Sequence, residues 1–118
     1  MIRKFRKTDI SRIADIWLDA NIKAHYFIPS QYWKDNFELV KEMFLQAEIY
    51  VYEDKNQIQG FIGLDNCYIA GIFVCSEAQS LGIGKRLLDF AKSIKEQLSL
   101  SVYQKNTRAI NIPVIWMT

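Results

Sequence analysis

Residues 68–88 read YIAGIFVCSEAQSLGIGKRLL. The first seven are apolar and rich in β-branched or aromatic side chains, and their number suits a buried strand over 68–74. A polar turn follows at 75–79. Then Gln79-Ser80-Leu81-Gly82-Ile83-Gly84 leads into a pattern in which Ile83, Leu87, Leu88, Ala91, Ile94 and Leu98 recur at three- and four-residue steps. That spacing is one face of a helix, expected to end near residue 97. A glycine-bearing loop therefore lies between a strand and a helix N-terminus. The first N–H groups of a helix lack intrahelical partners and carry the positive end of the dipole. Glycine lets a ligand come close to the backbone, so the combination suits phosphate.

Three phosphate-loop patterns compete for this stretch. A P-loop needs GxxxxGK followed by Ser or Thr, which Gly82, Gly84 and Lys85 do not satisfy. A dinucleotide fingerprint needs GxGxxG, and position 87 is Leu where the third glycine belongs. The third pattern is Q-x-x-G-x-G after an apolar strand, as in 79–84. Together with Ile69-Ala70-Gly71-Ile72-Phe73-Val74 before it and Lys85-Arg86-Leu87-Leu88 after it, this closely resembles the acetyl-CoA motif of the GNAT superfamily of N-acetyltransferases. A plain strand-to-helix turn is the reading it displaces.

A chain of 118 residues is expected to be one domain spanning 1–118. Half is hydrophobic and 14% aromatic, enough for a packed core. The net charge of +2, with both signs interspersed, gives no reason to expect nucleic acid or an anionic membrane as partner. No apolar run is long enough to span a bilayer, and no signal peptide is read. Cys67 and Cys75 sit at opposite ends of the central strand. An extended strand holds such a pair beyond disulfide reach, so both are read as reduced thiols of a cytoplasmic protein.

In chain order, residues 2–6 read as a short strand. Thr8 or Asp9 is a cap for a first helix with Ile10, Ile13, Ala14, Trp17 and Ala20 on its apolar face, ending near 21–23. Ser30 is a cap for a second helix whose stripe is Trp33, Phe37, Val40 and Phe44. Residues 48–53 and 58–64 are strands joined by the turn at 54–57, with Gly60 and Gly63 marking weak or closely approached positions. Asp65-Asn66 is a tight hairpin turn into the central strand. After the third helix, residues 100–103 form a strand parallel to the central one by the right-handed crossover rule. The order is β-α-α-β-β-β-α-β: an α+β chain with a mixed central sheet flanked by helices.

That order resembles the GNAT three-layer fold over almost the whole chain. The resemblance implies that the central and next strands splay apart and that the pantetheine arm of acetyl-CoA lies between them. Ile72, Phe73 and Val74 would then supply backbone contacts. Ser80, Leu81, Gly82, Ile83, Gly84 and Lys85 would wrap the pyrophosphate, with Gln79 as the polar residue that opens the loop. Asn106, in Asn106-Thr107-Arg108-Ala109, resembles the family's N-x-x-A and joins the cofactor set. The implied co-substrate is acetyl-CoA with no metal. The implied activity is acetyl transfer to a primary amine of a small molecule or protein. A catalytically impaired, acyl-CoA-binding or oligomerising remnant of the family is the alternative.

The end of the chain departs from the family pattern. Pro113 stands where the family places a Tyr, and proline stops a helix. A fourth helix and a closing hairpin are therefore expected to be missing. The chemistry gives the loss its meaning. A lysine amine has a pKa of about 10.4 and must lose a proton before it attacks the thioester. A backbone N–H can hold the oxyanion, and the Tyr ordinarily protonates the departing thiolate. No catalytic residue is assigned here.

Other candidates lie outside the glycine loop. His25, the only histidine, and Tyr32 fall where the family binds its acceptor, and with Tyr26, Phe27 and Trp33 they would wall a substrate pocket or simply pack. Arg3, Lys4, Arg6 and Lys7 read as a solvated strand edge. Lys85 and Arg86 face phosphate or solvent. Residues 114–117, Val-Ile-Trp-Met, are apolar enough to pair with another chain, so a homodimer is expected.

Overall fold

The apolar run at 68–74 is a strand, and a sheet is built outward from it. In the computed structural model, which describes residues 1–66, 68–79 and 81–95 and the backbone of 99–100, the strands are β1 (Ile2–Lys4), β2 (Glu48–Asp54), β3 (Gln57–Asp65), β4 (Tyr68–Val74) and β5 (Ser99–Leu100). They lie side by side in that order. The first four are antiparallel neighbours, and β5 runs parallel to β4 with Ser99 beside Tyr68 and Leu100 beside Ile69. The helices are α1 (Ile10–Ala24), α2 (Ser30–Asp35), α3 (Phe37–Leu45) and α4 (Ile83–Ile94). The mixed sheet and its order are those expected, apart from the divided second helix.

Side-chain alternation along each strand separates two helical layers. On one face Phe44 of α3 meets the ring of Phe61 edge-on at 5.4 Å, and Phe61 stacks on its cross-strand partner Phe73 at 4.9 Å. Trp17 of α1 and Trp33 of α2 meet edge-on beside them at 5.8 Å, and all five rings are buried. On the opposite face Phe90 of α4 packs on Tyr50 at 5.0 Å, and Arg86 Nη1 donates to the Tyr52 hydroxyl over 2.9 Å. Lys55 and Asn56 both have positive φ, 53° and 65°, and join β2 to β3 with Asp54 opposite Gln57. This is the primed turn whose twist matches a two-residue hairpin. Ala70 is an extra residue in β4, because Gly63 faces Gly71 while Leu64 faces Ile69.

Several boundaries differ from the sequence expectation, each for a local reason. The second helix breaks at Asn36 (φ −98°, ψ 3°), whose side-chain amide donates to Tyr32 O at 2.8 Å and competes for a backbone acceptor. Ser30 is the first helical residue, not a cap, and the break leaves Phe37 half-buried. Asp9 stands at the N-cap position of α1, but its side chain makes no capping bond to that helix. Its carboxylate accepts Arg6 N–H at 2.8 Å and two bonds from the Arg3 guanidinium at 2.9 and 3.1 Å. Arg3, expected on a solvated edge, is 15% exposed and also donates to Glu53 Oε1 at 2.9 Å. Helix α4 ends at Ile94, short of residue 97, and Ile94 is exposed. Lys95 turns extended and its ammonium reaches Glu48 at 3.0 Å. Leu98, the strand expected over 101–103, Cys67 and everything after residue 100 lie outside the described residues.

Candidate functional site

The candidate site lies along the C-terminal half of β4 and the loop that follows it. On one side β4 pairs with β3 as far as Val74. On the other, among the described residues, β5 covers only Tyr68 and Ile69. The ladder shows which amide groups face which side. Cys75 N–H bonds to Gln59 O at 2.9 Å, and Phe73 O lies 2.9 Å from where a Cβ on Gly60 would stand. Residues 73 and 75 thus turn their amide groups toward β3. By the two-residue period, Ile72 and Val74 turn theirs to the side away from β3. Gln79 Nε2 already donates to Val74 O on that side, at 3.3 Å.

A cleft of about 270 Å³ runs along this side, lined by Ala20 and Ala24 of α1, Ile72, Phe73 and Val74 of β4, Ala78 and Gln79 of the loop, and Ile83 and Gly84 of α4. Helix α4 starts beside it. Gly82, at φ 78° and ψ 14°, is in the left-handed region and hands its carbonyl to Arg86 N–H at 3.1 Å. That leaves the amides of the first turn without intrahelical partners at the cleft. Two glycines have separate physical reasons. Gly82 is held by its φ, since a Cβ there meets nothing within 4 Å. A Cβ on Gly84 would touch Ile72 Cγ2 at 3.9 Å and Val74 Cγ2 at 4.0 Å, so a longer side chain would grow into the cleft.

The structure thus brings Ile72, Phe73, Val74, Gln79, Ile83 and Gly84 together. Leu81 and Gly82 lie exposed on the loop. The Lys85 ammonium pairs with Asp89 at 2.9 Å one turn along, which holds the Asp89 carboxyl below its usual range, and Arg86 is taken up by Tyr52. Ser80 and Asn106 lie outside the described residues, as does Pro113. His25 and Tyr32 are not in the cleft lining. The His25 ring lies 5.5 Å from Trp33 and its Nε2 is buried without a hydrogen bond, while Tyr32 stands partly exposed, edge-on to Trp33 at 4.9 Å. Tyr26 and Phe27 project beside them, 86% and 71% exposed. Ala20, expected only as part of the apolar face of the first helix, lines the cleft, as do Ala24 and Ala78, which the sequence did not mark as site residues. The only signal for them was small residues on a face otherwise filled by large ones. Among the described residues no three His, Cys, Asp or Glu side chains gather as a metal site would need, and no helix is long and apolar enough to cross a membrane.

A family model described as an acetyltransferase (GNAT) domain matches residues 46–112. The chain is 34% identical to the peptidyl-lysine N-acetyltransferase YiaC of Escherichia coli, over 94% of this chain and 77% of that protein. The solution structure of apo YjaB from Escherichia coli superposes with a TM-score of 0.77 at 23% identity, covering 94% of this chain and 76% of that one. PaiA N-acetyltransferase from Thermoplasma acidophilum, solved in complex with coenzyme A, superposes with a TM-score of 0.68 at 18% identity, covering 80% and 70%.

Proposed function

The chain belongs to the GNAT acetyltransferase family and is an acetyl-CoA-dependent N-acetyltransferase, and from that premise we propose that its acceptor is the side-chain amine of a lysine in a protein. The likeness to a peptidyl-lysine N-acetyltransferase along nearly the whole chain supports that choice. We assign acetyl-CoA to the cleft. The observation that carries the assignment is the cleft lined by Ile72, Phe73 and Val74 of β4, which ends at a glycine loop and a helix N-terminus. The amide groups of Ile72 and Val74, with Phe73 between them, suit an extended pantetheine arm that adds to the sheet as a further strand would. Gln79, Ser80, Leu81, Gly82, Ile83, Gly84 and Lys85, with Asn106, are the proposed cofactor set. The amides after Gly82 suit a pyrophosphate.

The acceptor side is proposed at the α1–α2 junction. There the exposed rings of Tyr26 and Phe27, with His25 and Tyr32, offer apolar and cation-attracting surface to a lysine side chain. The attacking amine must be neutral, and an N–H on the β4 edge can hold the charge that develops on the thioester oxygen. Thiol release from acetyl-CoA with a lysine peptide tests the reading. The expected result is turnover that vanishes when the lysine is already Nε-acetylated. CoA binding without turnover would leave the other reading, an acyl-CoA-binding chain whose chemistry is impaired, for which Pro113 in place of Tyr is the supporting observation. Gly84→Leu should weaken CoA binding more than about 10-fold, a loss of over 1.4 kcal/mol. Calorimetry showing unchanged affinity in that variant would remove the cleft assignment. Three coarser proposals accompany it: residues 1–118 act as one domain, the protein works in the cytoplasm, and two copies associate through the apolar residues 114–117. Sedimentation at micromolar concentration reads the last of these as a dimer or a monomer.

A further inference from the structure

Next along the chain to residues that line the cleft, side chains from two distant segments form a closed ring. Ser76 Oγ, in the loop after β4, donates to Asp19 Oδ2 of α1 at 2.6 Å. The same hydroxyl accepts from Lys23 Nζ at 2.5 Å, and Lys23 closes the ring on Asp19 Oδ1 at 3.3 Å. We propose that this ring is a clasp that sets the spacing between the two walls of the cleft, and so how well acetyl-CoA fits. Asp19, Ser76 and Lys23 are then positioning residues for the co-substrate. The inference rests on the assignment of acetyl-CoA to this cleft.

The placement of the ring carries the argument. α1 reads Asp19-Ala20-Asn21-Ile22-Lys23-Ala24, so both ring members on this helix are followed at once by an alanine that lines the cleft. Ser76 begins the short turn that ends at Ala78, a lining residue of the opposite wall. A shift of the ring therefore moves three lining residues. The loop's backbone bonds do not perform this task. Cys75 N–H goes to Gln59 O of β3 and Ala78 N–H to Cys75 O, which hold the loop to the sheet and to itself. The acid–base pair on α1 is largely solvated, with side chains 59% and 43% exposed, and such a pair contributes little by itself. The half-buried hydroxyl turns it from a decoration of one helix into a bridge between two walls. Its removal should be read in co-substrate binding far more than in melting temperature.

The test is calorimetry with CoA on the wild-type chain and on Ser76→Ala, Asp19→Asn and Ser76→Thr, beside steady-state kinetics with acetyl-CoA and a lysine peptide. Ser76→Ala and Asp19→Asn should each weaken CoA about 3- to 10-fold, the size of one lost hydrogen bond. KM for acetyl-CoA should rise by the same factor, with kcat and the peptide KM within about twofold. The double variant should be no worse than either single one. Ser76→Thr, which keeps the hydroxyl, should bind as the wild type does. Unchanged CoA affinity in folded Ser76→Ala or Asp19→Asn overturns the clasp, as does an equal loss on the peptide side. A wild-type chain that fails to bind CoA overturns the cofactor assignment first, before any substitution is compared.

Discussion

Arg3 and Asp9 show how a single charged pair is read differently by sequence and by structure. Arg3 lies six residues from Asp9 and fifty from Glu53, yet its guanidinium binds both carboxylates. The Arg3 guanidinium, with the Arg6 N–H, holds the Asp9 carboxyl below its usual range against the opposing effect of burial. A carboxyl with a depressed folded pKa contributes stability above its unfolded value of about 3.9 and loses it as pH falls through the folded value. Asp9→Asn should therefore cost about 1–2 kcal/mol at pH 7, with the gap to wild type shrinking below about pH 4. Urea unfolding that shows the same gap at pH 7 and pH 3 would contradict this assignment. Gly60 makes a second case. A Cβ there would stand 2.9 Å from Phe73 O and 3.2 Å from Ile83 Cγ2, and backbone cannot yield as a side chain does. Gly60→Ala should destabilise by about 1–3 kcal/mol, read as a lower urea midpoint.

Elements carry a second set of expectations. The β2–β3 hairpin holds Lys55 and Asn56 at positive φ, which an Asn-Gly pair adopts at least cost. Replacing them together, Lys55→Asn with Asn56→Gly, should stabilise the chain by about 1 kcal/mol without touching the cleft. A melting temperature that falls would refute the turn assignment. The division of α2 from α3 at Asn36 was invisible to periodicity, because the apolar stripe Trp33, Val40 and Phe44 continues across the break and all three are buried. What ends α2 is one side-chain amide taking a carbonyl four residues back. By contrast α1 was legible almost to its ends. Ile13, Ala14 and Trp17 are buried as their spacing requires, and only Ile16 and the fully buried Asn21, whose amide donates to Trp17 O, stand outside the pattern.

For the whole molecule the decisive property is the cleft between α1, β4 and the start of α4, because a ligand bound there adds to stability. CoA at about 100 times its Kd should add about 2.7 kcal/mol and raise the melting temperature of a chain this size by about 10 °C. Gly84→Leu should melt near the wild-type value and lose most of that rise, since its Cβ meets only ordinary contacts while the rest of the side chain enters the cleft. An undiminished rise in the variant would place CoA elsewhere. By itself, the sequence determined β4, the glycine loop and the face of α4, because those depend on local period and on backbone freedom at Gly82. It also specified the element order, hence the antiparallel meander and the one parallel crossover. Only the tertiary structure decided which alanines of α1 line the cleft, that His25 packs against Trp33 outside its lining, and that Ser76 closes a ring with Asp19 and Lys23. Those contacts join residues more than fifty positions apart or depend on how a helix rotates over a sheet, and no local pattern along one chain encodes either.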